Sequence, residues 1–300
     1  MIFVVKFRLA DLTVSRRRCL AMRMSDAPPA KPAPQPATYA VFDAGVATHR
    51  LSRRLERTGD GQVRQILSAV PAAPPPAAGY PLLVMLDGNA AFDALTPALL
   101  SAAPGLAIVG LGHDTPLRFD VLARSRDYTP PRGPGDPSPD PQRPERLIGG
   151  AALFLDILCS ELLPAALAGL PVDPRRTTLW GHSLAGMFVV YTLLTRPRAF
   201  ARFAAASPSI WWGDEWMLGL EAQSDLSGEG GASALVMLGD SERRSSPTGP
   251  HWDGPAPHTL EMVERLRRRG LPVACEIFAG LGHAATLPAS LPPTLRFAAR

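Results

Sequence analysis

The sequence predicts an α/β protein, with a mostly parallel sheet led by an antiparallel pair and helices on both faces. Three observations predict it. From residue 80 onward, short apolar runs alternate with helical patterns. Two of those runs, residues 82–86 and 234–238, are continuous rather than alternating, the mark of strands buried on both faces. Ahead of them, two strand-like stretches meet at Thr58-Gly59-Asp60-Gly61, a hairpin turn.

Each element follows from its local pattern. Residues 38–43, 48–56 and 62–70 read as strands, the last two joined by the hairpin. The buried strand 82–86 ends at Asp87-Gly88-Asn89, and a helix over 92–103 comes next. A strand over 106–109 then ends at Gly110-Leu111-Gly112-His113. Residues 148–168 form a long apolar helix whose few charges include Asp156 and Glu161. The strand 177–180 runs into Gly181-His182-Ser183-Leu184-Ala185-Gly186 and the apolar helix 187–194. After it, the strand 203–206 leads to Ser207-Pro208-Ser209-Ile210-Trp211-Trp212, and 234–238 leads to Gly239-Asp240-Ser241-Glu242. An amphipathic helix (259–269), a strand (273–278), the loop Gly280-Leu281-Gly282-His283 and a helix (288–299) close the chain.

Composition bounds the function. The 300 residues are 46% hydrophobic and 19% charged, which describes a globular protein with a sizeable core. Residues 1–24 hold six basic side chains against Asp11, so their +5 exceeds the +4 of the whole chain and leaves the remainder at −1. A nucleic-acid partner is therefore not expected. Prolines cluster at 28–36, 71–81 and 130–144, a tail and two surface loops by composition. Residues 1–37 are expected to be a disordered tail, and 38–300 a single domain. Cys19, Cys159 and Cys275 fit neither a disulfide framework nor a metal site, which favours a reducing, cytoplasmic compartment with the periplasm as the alternative. No apolar run reaches the length of a transmembrane helix. The apolar residues 2–5 precede most of the arginines, the reverse of a secretory signal.

The chemistry gathers just beyond strand ends, where ligands bind in open α/β sheets. Gly181-His182-Ser183-Leu184-Ala185 has the layout of a nucleophile elbow, a strand-to-helix turn that exposes a serine hydroxyl. Small residues two before and two after the serine let strand and helix backbones approach, and Ala185 stands where Gly is usual. A bare helix-capping serine is the competing reading. A serine needs a base within hydrogen-bond reach. Of six histidines, His283 follows the last strand and gives the chain order nucleophile, acid, histidine that is typical of α/β-hydrolases. His182 reads as packing, His49, His251 and His258 as surface, and His113 as a residue able to line the pocket. Asp240 and Glu242 both qualify by position as the acid that fixes the imidazole. The amides of Leu184 and Asn89 are the expected oxyanion donors. No cofactor is needed for this chemistry.

Four motifs in order carry a resemblance. They are residues 81–90 (Pro-Leu-Leu-Val-Met-Leu-Asp-Gly-Asn-Ala), Arg124-Ser125-Arg126-Asp127-Tyr128-Thr129-Pro130, the elbow, and Ser207-Pro208-Ser209-Ile210-Trp211-Trp212. Over about residues 38–298 the chain resembles the siderophore trilactone esterase branch of the esterase-D-like α/β-hydrolases. The resemblance implies Ser183 as nucleophile, His283 as base and the Asn89 and Leu184 amides as oxyanion hole. It favours Glu242 over Asp240, because the family often has Gly-x-x-Glu at that place. It departs from the family at Ala185, at Gly282, where Asn is usual, and at His113, where Tyr is common. The implied substrate is a small-molecule ester, the trilactone of a catecholate siderophore or its linear fragments. Arg124 and Arg126 are the expected anion contacts, and Trp211 the expected cleft wall, with Trp212 turned the other way. The alternatives are a general carboxylesterase or thioesterase and a binding protein of the same fold. Oligomeric state is left open by the sequence.

Overall fold

The computed structural model describes residues 33–226, 232–244 and 252–300. Its main unit runs from Gln35 to Arg300, and residues 1–32 of the expected tail lie outside the described residues. Residues 35–37, also expected as tail, are tied down: the Ala37 amide donates to the Pro116 carbonyl and the Arg118 amide to the Gln35 carbonyl, both at 2.9 Å.

Eight strands form the central sheet. They are β1 (His49–Arg57), β2 (Val63–Pro71), β3 (Tyr80–Leu86), β4 (Ala107–His113), β5 (Val172–His182), β6 (Arg202–Ala206), β7 (Ser233–Gly239) and β8 (Val273–Phe278). Their spatial order is β1-β2-β4-β3-β5-β6-β7-β8. β1 and β2 pair antiparallel, β2 meets β4 antiparallel, and every other pairing is parallel. The expected mostly parallel sheet with an antiparallel leading pair is what forms.

Side chains alternate across a strand, and β3 shows both faces buried. Leu82, Val84 and Leu86 join Phe154, Leu179, Phe188 and Phe203 on one side. Leu83 and Met85 join Ile108, Trp180, Met237, Leu291 and Leu295 on the other. The elbow helix Leu184–Thr195 is buried from Ala185 to Leu194. A helix apolar all round has no solvent face to offer, so it lies against the middle of the sheet and sets where Ser183 points.

Several element boundaries differ from the sequence reading. Residues 38–43 are not a strand, because one oxygen of Asp93 accepts from the Thr38 amide (2.7 Å), the Thr38 hydroxyl (2.8 Å) and the Tyr39 amide (3.2 Å). Tyr39 is held at φ 53° and the helix Ala40–Ala44 follows. The helix read over 92–103 is two helices, Gly88–Ala94 and Pro97–Ser101, since Thr96 caps the second and Pro97 starts it. The long helix over 148–168 is interrupted by a π-turn at Leu158–Leu162. The Arg-rich helix Val121–Tyr128 and the hairpin Ser138–Asp140/Arg143–Ile148 are not predicted by periodicity at all.

β4 extends to His113, through Gly110 and Gly112 that read as loop. A Cβ on Gly112 would overlap Asn89 Oδ1, so the glycine makes room for a side chain from the neighbouring helix. The Asn89 amide group donates to the carbonyls of His113 (3.2 Å), Thr115 (3.0 Å) and Leu117 (3.2 Å). Asn89→Ala should therefore destabilise the fold by about 1–3 kcal/mol, since it leaves buried carbonyls unpaired. A urea unfolding curve measures it, and a change under about 0.5 kcal/mol, the scale of an inert surface substitution, would contradict this role.

Candidate active site

Three adjacent strands end in non-glycine residues with positive φ: Asp87 after β3 (φ 47°), Ser183 after β5 (φ 61°) and Ser207 after β6 (φ 41°). Backbone strain of this kind persists only where the surroundings over-determine it, and it clusters at functional sites. At Ser183 the turn is pinned by its own amide, which donates to the Ala206 carbonyl (2.9 Å), and by the Ser209 amide, which donates to the Ser183 carbonyl (3.2 Å). A Cβ at Gly181 would lie 2.5 Å from the Ala185 carbonyl carbon and 2.9 Å from the Ala185 Cβ. That explains the departure from the usual pattern: Ala fits at 185 because Gly181 has nothing there.

The Ser183 hydroxyl is 3.0 Å from His283 Nε2 and 3.4 Å from the Ser209 hydroxyl. On its other side, His283 Nδ1 is 3.1 Å from Glu242 Oε2. Glu242 is only 4% exposed. Its second oxygen accepts from the Ser207 hydroxyl (2.6 Å) and the Gly239 amide (2.9 Å). Burial alone would raise the Glu242 pKa, but the hydrogen bonds from His283, Ser207 and Gly239 outweigh it and hold the carboxyl below its ordinary value. An ionised Glu242 accepts a hydrogen bond from Nδ1–H and holds that proton on Nδ1, so His283 keeps its Nε2 lone pair for the serine. Asp240, the other acid positioned by sequence, is exposed and ties the loop instead, accepting from the Gly280 amide at 2.6 Å.

The amides of Leu184 and Asn89 both sit in the first turn of a helix, where no intrahelical acceptor exists. Leu184 lies beside the serine and Asn89 just after β3.

Two expected substrate contacts are turned inward. Arg124 is paired with Asp87, through Nη2 at 2.7 Å and Nε at 3.1 and 3.2 Å, and its side chain is 12% exposed. Its charge braces the strained residue before Gly88 rather than facing the cleft. His113 is 7% exposed and its Nε2 is 3.1 Å from Asp127. Burial works to raise the Asp127 pKa, and the contacts with His113, Arg126 and Arg64 together hold it down. A histidine that replaces the family's tyrosine is therefore a partner for a buried carboxylate. Arg126 bonds Asp127 through Nε (2.7 Å), while its Nη2 is buried without a partner among the described residues. Trp211 and Trp212 do diverge: Trp212 packs on the core and Trp211 does not.

The other histidines also need correction. His49 is buried, not surface, and its Nε2–H donates to the Leu106 carbonyl at 3.0 Å. His258 is half-buried against Glu215 (3.0 Å), and His251 lies outside the described residues. His182 was expected only to pack, yet its Nε2 is 2.9 Å from the His283 carbonyl and 3.1 Å from the Thr286 hydroxyl. Thr286 donates to the same carbonyl at 2.6 Å. Ser207, His182 and Thr286 thus hold the acid and the histidine loop in place. The signal available for Ser207 was its place after a strand end. For Thr286 no local signal exists.

Burial, and then the nearby His283, push the His182 pKa down to about 3. The unfolded chain binds a proton at His182 below about pH 6.5 that the fold resists. Its contribution is whole above that pH and lost as pH falls toward 3. Stability should drop by about 1.4 kcal/mol per pH unit across that window from this group alone. Urea unfolding at pH 7 and pH 5 should show a smaller loss in His182→Gln than in the wild type. Equal losses would remove His182 as the cause.

The putative esterase family model matches residues 131–296. The chain is 31% identical over 263 residues to the ferri-bacillibactin esterase BesA of Bacillus subtilis, a match spanning 82% of this chain and 88% of that one. It is 35% identical over 204 residues to the apo-salmochelin esterase of Escherichia coli O6:H1, spanning 67% of this chain and 64% of the relative. Among solved structures, the enterobactin hydrolase IroE in complex with DFP matches with a TM-score of 0.72 at 28% identity, over 87% of this chain and 99% of that one. Sheet order, elbow and sequence likeness agree, and the chain belongs to the putative esterase family, a serine hydrolase of α/β-hydrolase fold in the siderophore-esterase branch.

Proposed function

We propose that the protein hydrolyses the ester bonds of a catecholate siderophore trilactone or its linear fragments, with Ser183 as nucleophile, His283 as base and Glu242 as the acid behind it. The observation that carries the chemistry is the unbroken line of contacts from the Ser183 hydroxyl through His283 to a buried, ionised Glu242. The substrate class is supported by the names of the relatives, which act on bacillibactin, salmochelin and enterobactin.

Ser183 Oγ attacks the ester carbonyl carbon as His283 Nε2 takes its proton. The carbonyl oxygen becomes an oxyanion facing the Leu184 and Asn89 amides. His283 then gives the proton to the departing alkoxide, which leaves as a hydroxyl of the opened ring. Water, deprotonated by His283, attacks the acyl-enzyme, and the released acid frees Ser183. Glu242 stays ionised throughout, keeping the Nδ1 proton in place and stabilising the imidazolium. Arg126, with its unpartnered Nη2, and Trp211 are the proposed contacts to the anionic, aromatic periphery of the substrate. The proposed compartment is the cytoplasm, supported by the unpaired Cys159 and Cys275. No helix among the described residues is long and apolar enough to cross a membrane.

The test is a kinetic comparison of the purified protein on an enterobactin-type trilactone and on short p-nitrophenyl esters. A higher kcat/KM on the trilactone is expected. The reverse order would make the protein a general carboxylesterase.

A further inference from the structure

Just past Glu242 the chain forms a small hairpin, in which Arg243–Arg244 pairs antiparallel with Trp252–Asp253 and Arg244 stands opposite Trp252. The hydrolytic steps use none of these side chains. The Arg244 guanidinium carbon lies 3.2 Å from the centre of the Trp211 ring and 5.8 Å from that of Trp252. The two indoles are 6.3 Å apart, and His258 is 5.6 Å from Trp252.

The polar atoms of this cluster are conspicuously unfilled. Arg244 Nε, Trp252 Nε1 and His258 Nδ1 are all buried with no hydrogen-bond partner among the described residues. The neighbouring charges are already matched: Arg243 pairs with Asp253 (3.2 Å) and His258 Nε2 with Glu215 (3.0 Å). Arg244, unlike these two neighbours, has no carboxylate partner among the described residues, and burial lowers its pKa with nothing opposing. Leaving buried polar groups unpaired costs about 1–3 kcal/mol each, and the two obligate donors among them, Arg244 Nε and Trp252 Nε1, mark a place that a ligand completes. The cluster is joined to the reacting groups at both ends. Trp211 follows Ser209, whose hydroxyl meets Ser183, by two residues, and Arg244 follows Glu242 by two. At about 3.3 Å per extended residue, Arg244 lies about 7 Å along the chain from the residue that braces His283.

We infer that Arg244 and Trp252, with Trp211, form a subsite for a flat aromatic ring carrying negative charge. A guanidinium stacked on an indole still offers its in-plane N–H groups to a pair of anionic oxygens. The Trp252 indole N–H adds a further donor, and the indole faces supply stacking area. In the proposed reaction that ring is the catecholate on the acyl side of the scissile ester. This identification rests on the proposed function, but binding of the ring does not require turnover.

The test is therefore split. In calorimetric titrations of 2,3-dihydroxybenzoate into the full-length Ser183→Ala protein, saturable binding is expected, with Kd at least tenfold higher when Arg244→Met is added. Trp252→Phe, which keeps a ring and removes only the N–H, should weaken binding by a smaller factor, about threefold. In the enzyme with Ser183 intact, Arg244→Met should lower kcat/KM for a p-nitrophenyl 2,3-dihydroxybenzoate at least tenfold more than for p-nitrophenyl acetate. Arg243→Met, which removes an exposed arginine already paired to Asp253, should leave that ratio as it is. Absence of saturable binding, or a Kd that neither variant changes, overturns the subsite. So does an equal loss on both esters, which would mean a purely structural arginine. If no ester is turned over while the Arg244-dependent binding persists, the esterase reading fails and the subsite stands.

Discussion

Replacing Ser183 with Ala should lower kcat for ester hydrolysis by about 10⁵–10⁶-fold, and His283→Ala should cost about as much. The two residues act as one unit: without the imidazole the hydroxyl keeps its proton, and without the hydroxyl the imidazole has nothing to activate. The double variant should be no slower than either single one. Rates several powers of ten above the uncatalysed reaction should remain, from the backbone donors at Leu184 and Asn89 and from binding. Initial-rate kinetics on a p-nitrophenyl ester, with the protein's fold checked by circular dichroism, measures all three. Ser183→Ala with full activity would end the proposed mechanism. Losses that multiplied in the double variant would mean the two side chains work separately.

Glu242→Gln should lower kcat by about 10³–10⁴-fold while leaving KM much less affected. The reason lies in what the carboxylate meets. Both of its oxygens face donors: His283 on one side, Ser207 and the Gly239 amide on the other. A glutamine satisfies only one side as acceptor. If its oxygen stays with Ser207 and Gly239, its NH₂ faces Nδ1 and forces the proton onto Nε2, the tautomer that cannot accept from Ser183. Asp240→Asn, by contrast, should change kcat by less than about tenfold, because it touches the Gly280 amide and not the imidazole. Equal losses at the two positions would refute the assignment of Glu242. The same hydrogen bonds set an acid limit on stability. The folded-state pKa of Glu242 is depressed, so its contribution is present above its unfolded pKa and is lost as pH falls through the folded one.

Much of this arrangement is legible in the chain. Continuous apolar runs of five residues admit few interpretations other than strands buried on both faces, and β3 and β7 lie where residues 82–86 and 234–238 said they would. Since sheets of this kind bind ligands beyond their carboxyl ends, the places of Ser183, of His283 and of a carboxylate at 240 or 242 followed from counting strands. Two of the departures from the periodic reading are set by partners distant in sequence. Asp93 turns residues 38–44 away from a strand, and the end of β4 carries Gly112 against the Asn89 side chain, which also bonds the His113 carbonyl.

Charge was the least legible quantity. Arg124, Arg126 and His113 look alike in sequence, as polar groups beside a predicted cleft. Asp87 and Asp127, near in space and separated from them by up to 37 residues, decide which way each one faces.

By itself, then, the sequence determined the sheet, the elbow and the small set of polar residues beyond the strand ends, because apolar patterning and close backbone approach are local demands. Only the tertiary structure decided which carboxylate meets the imidazole, which arginines are already spent on buried acids, and that a lone arginine sits between two tryptophans. Those are questions of pairing, and a buried charge or donor is defined by whatever the rest of the fold brings within about 3 Å of it.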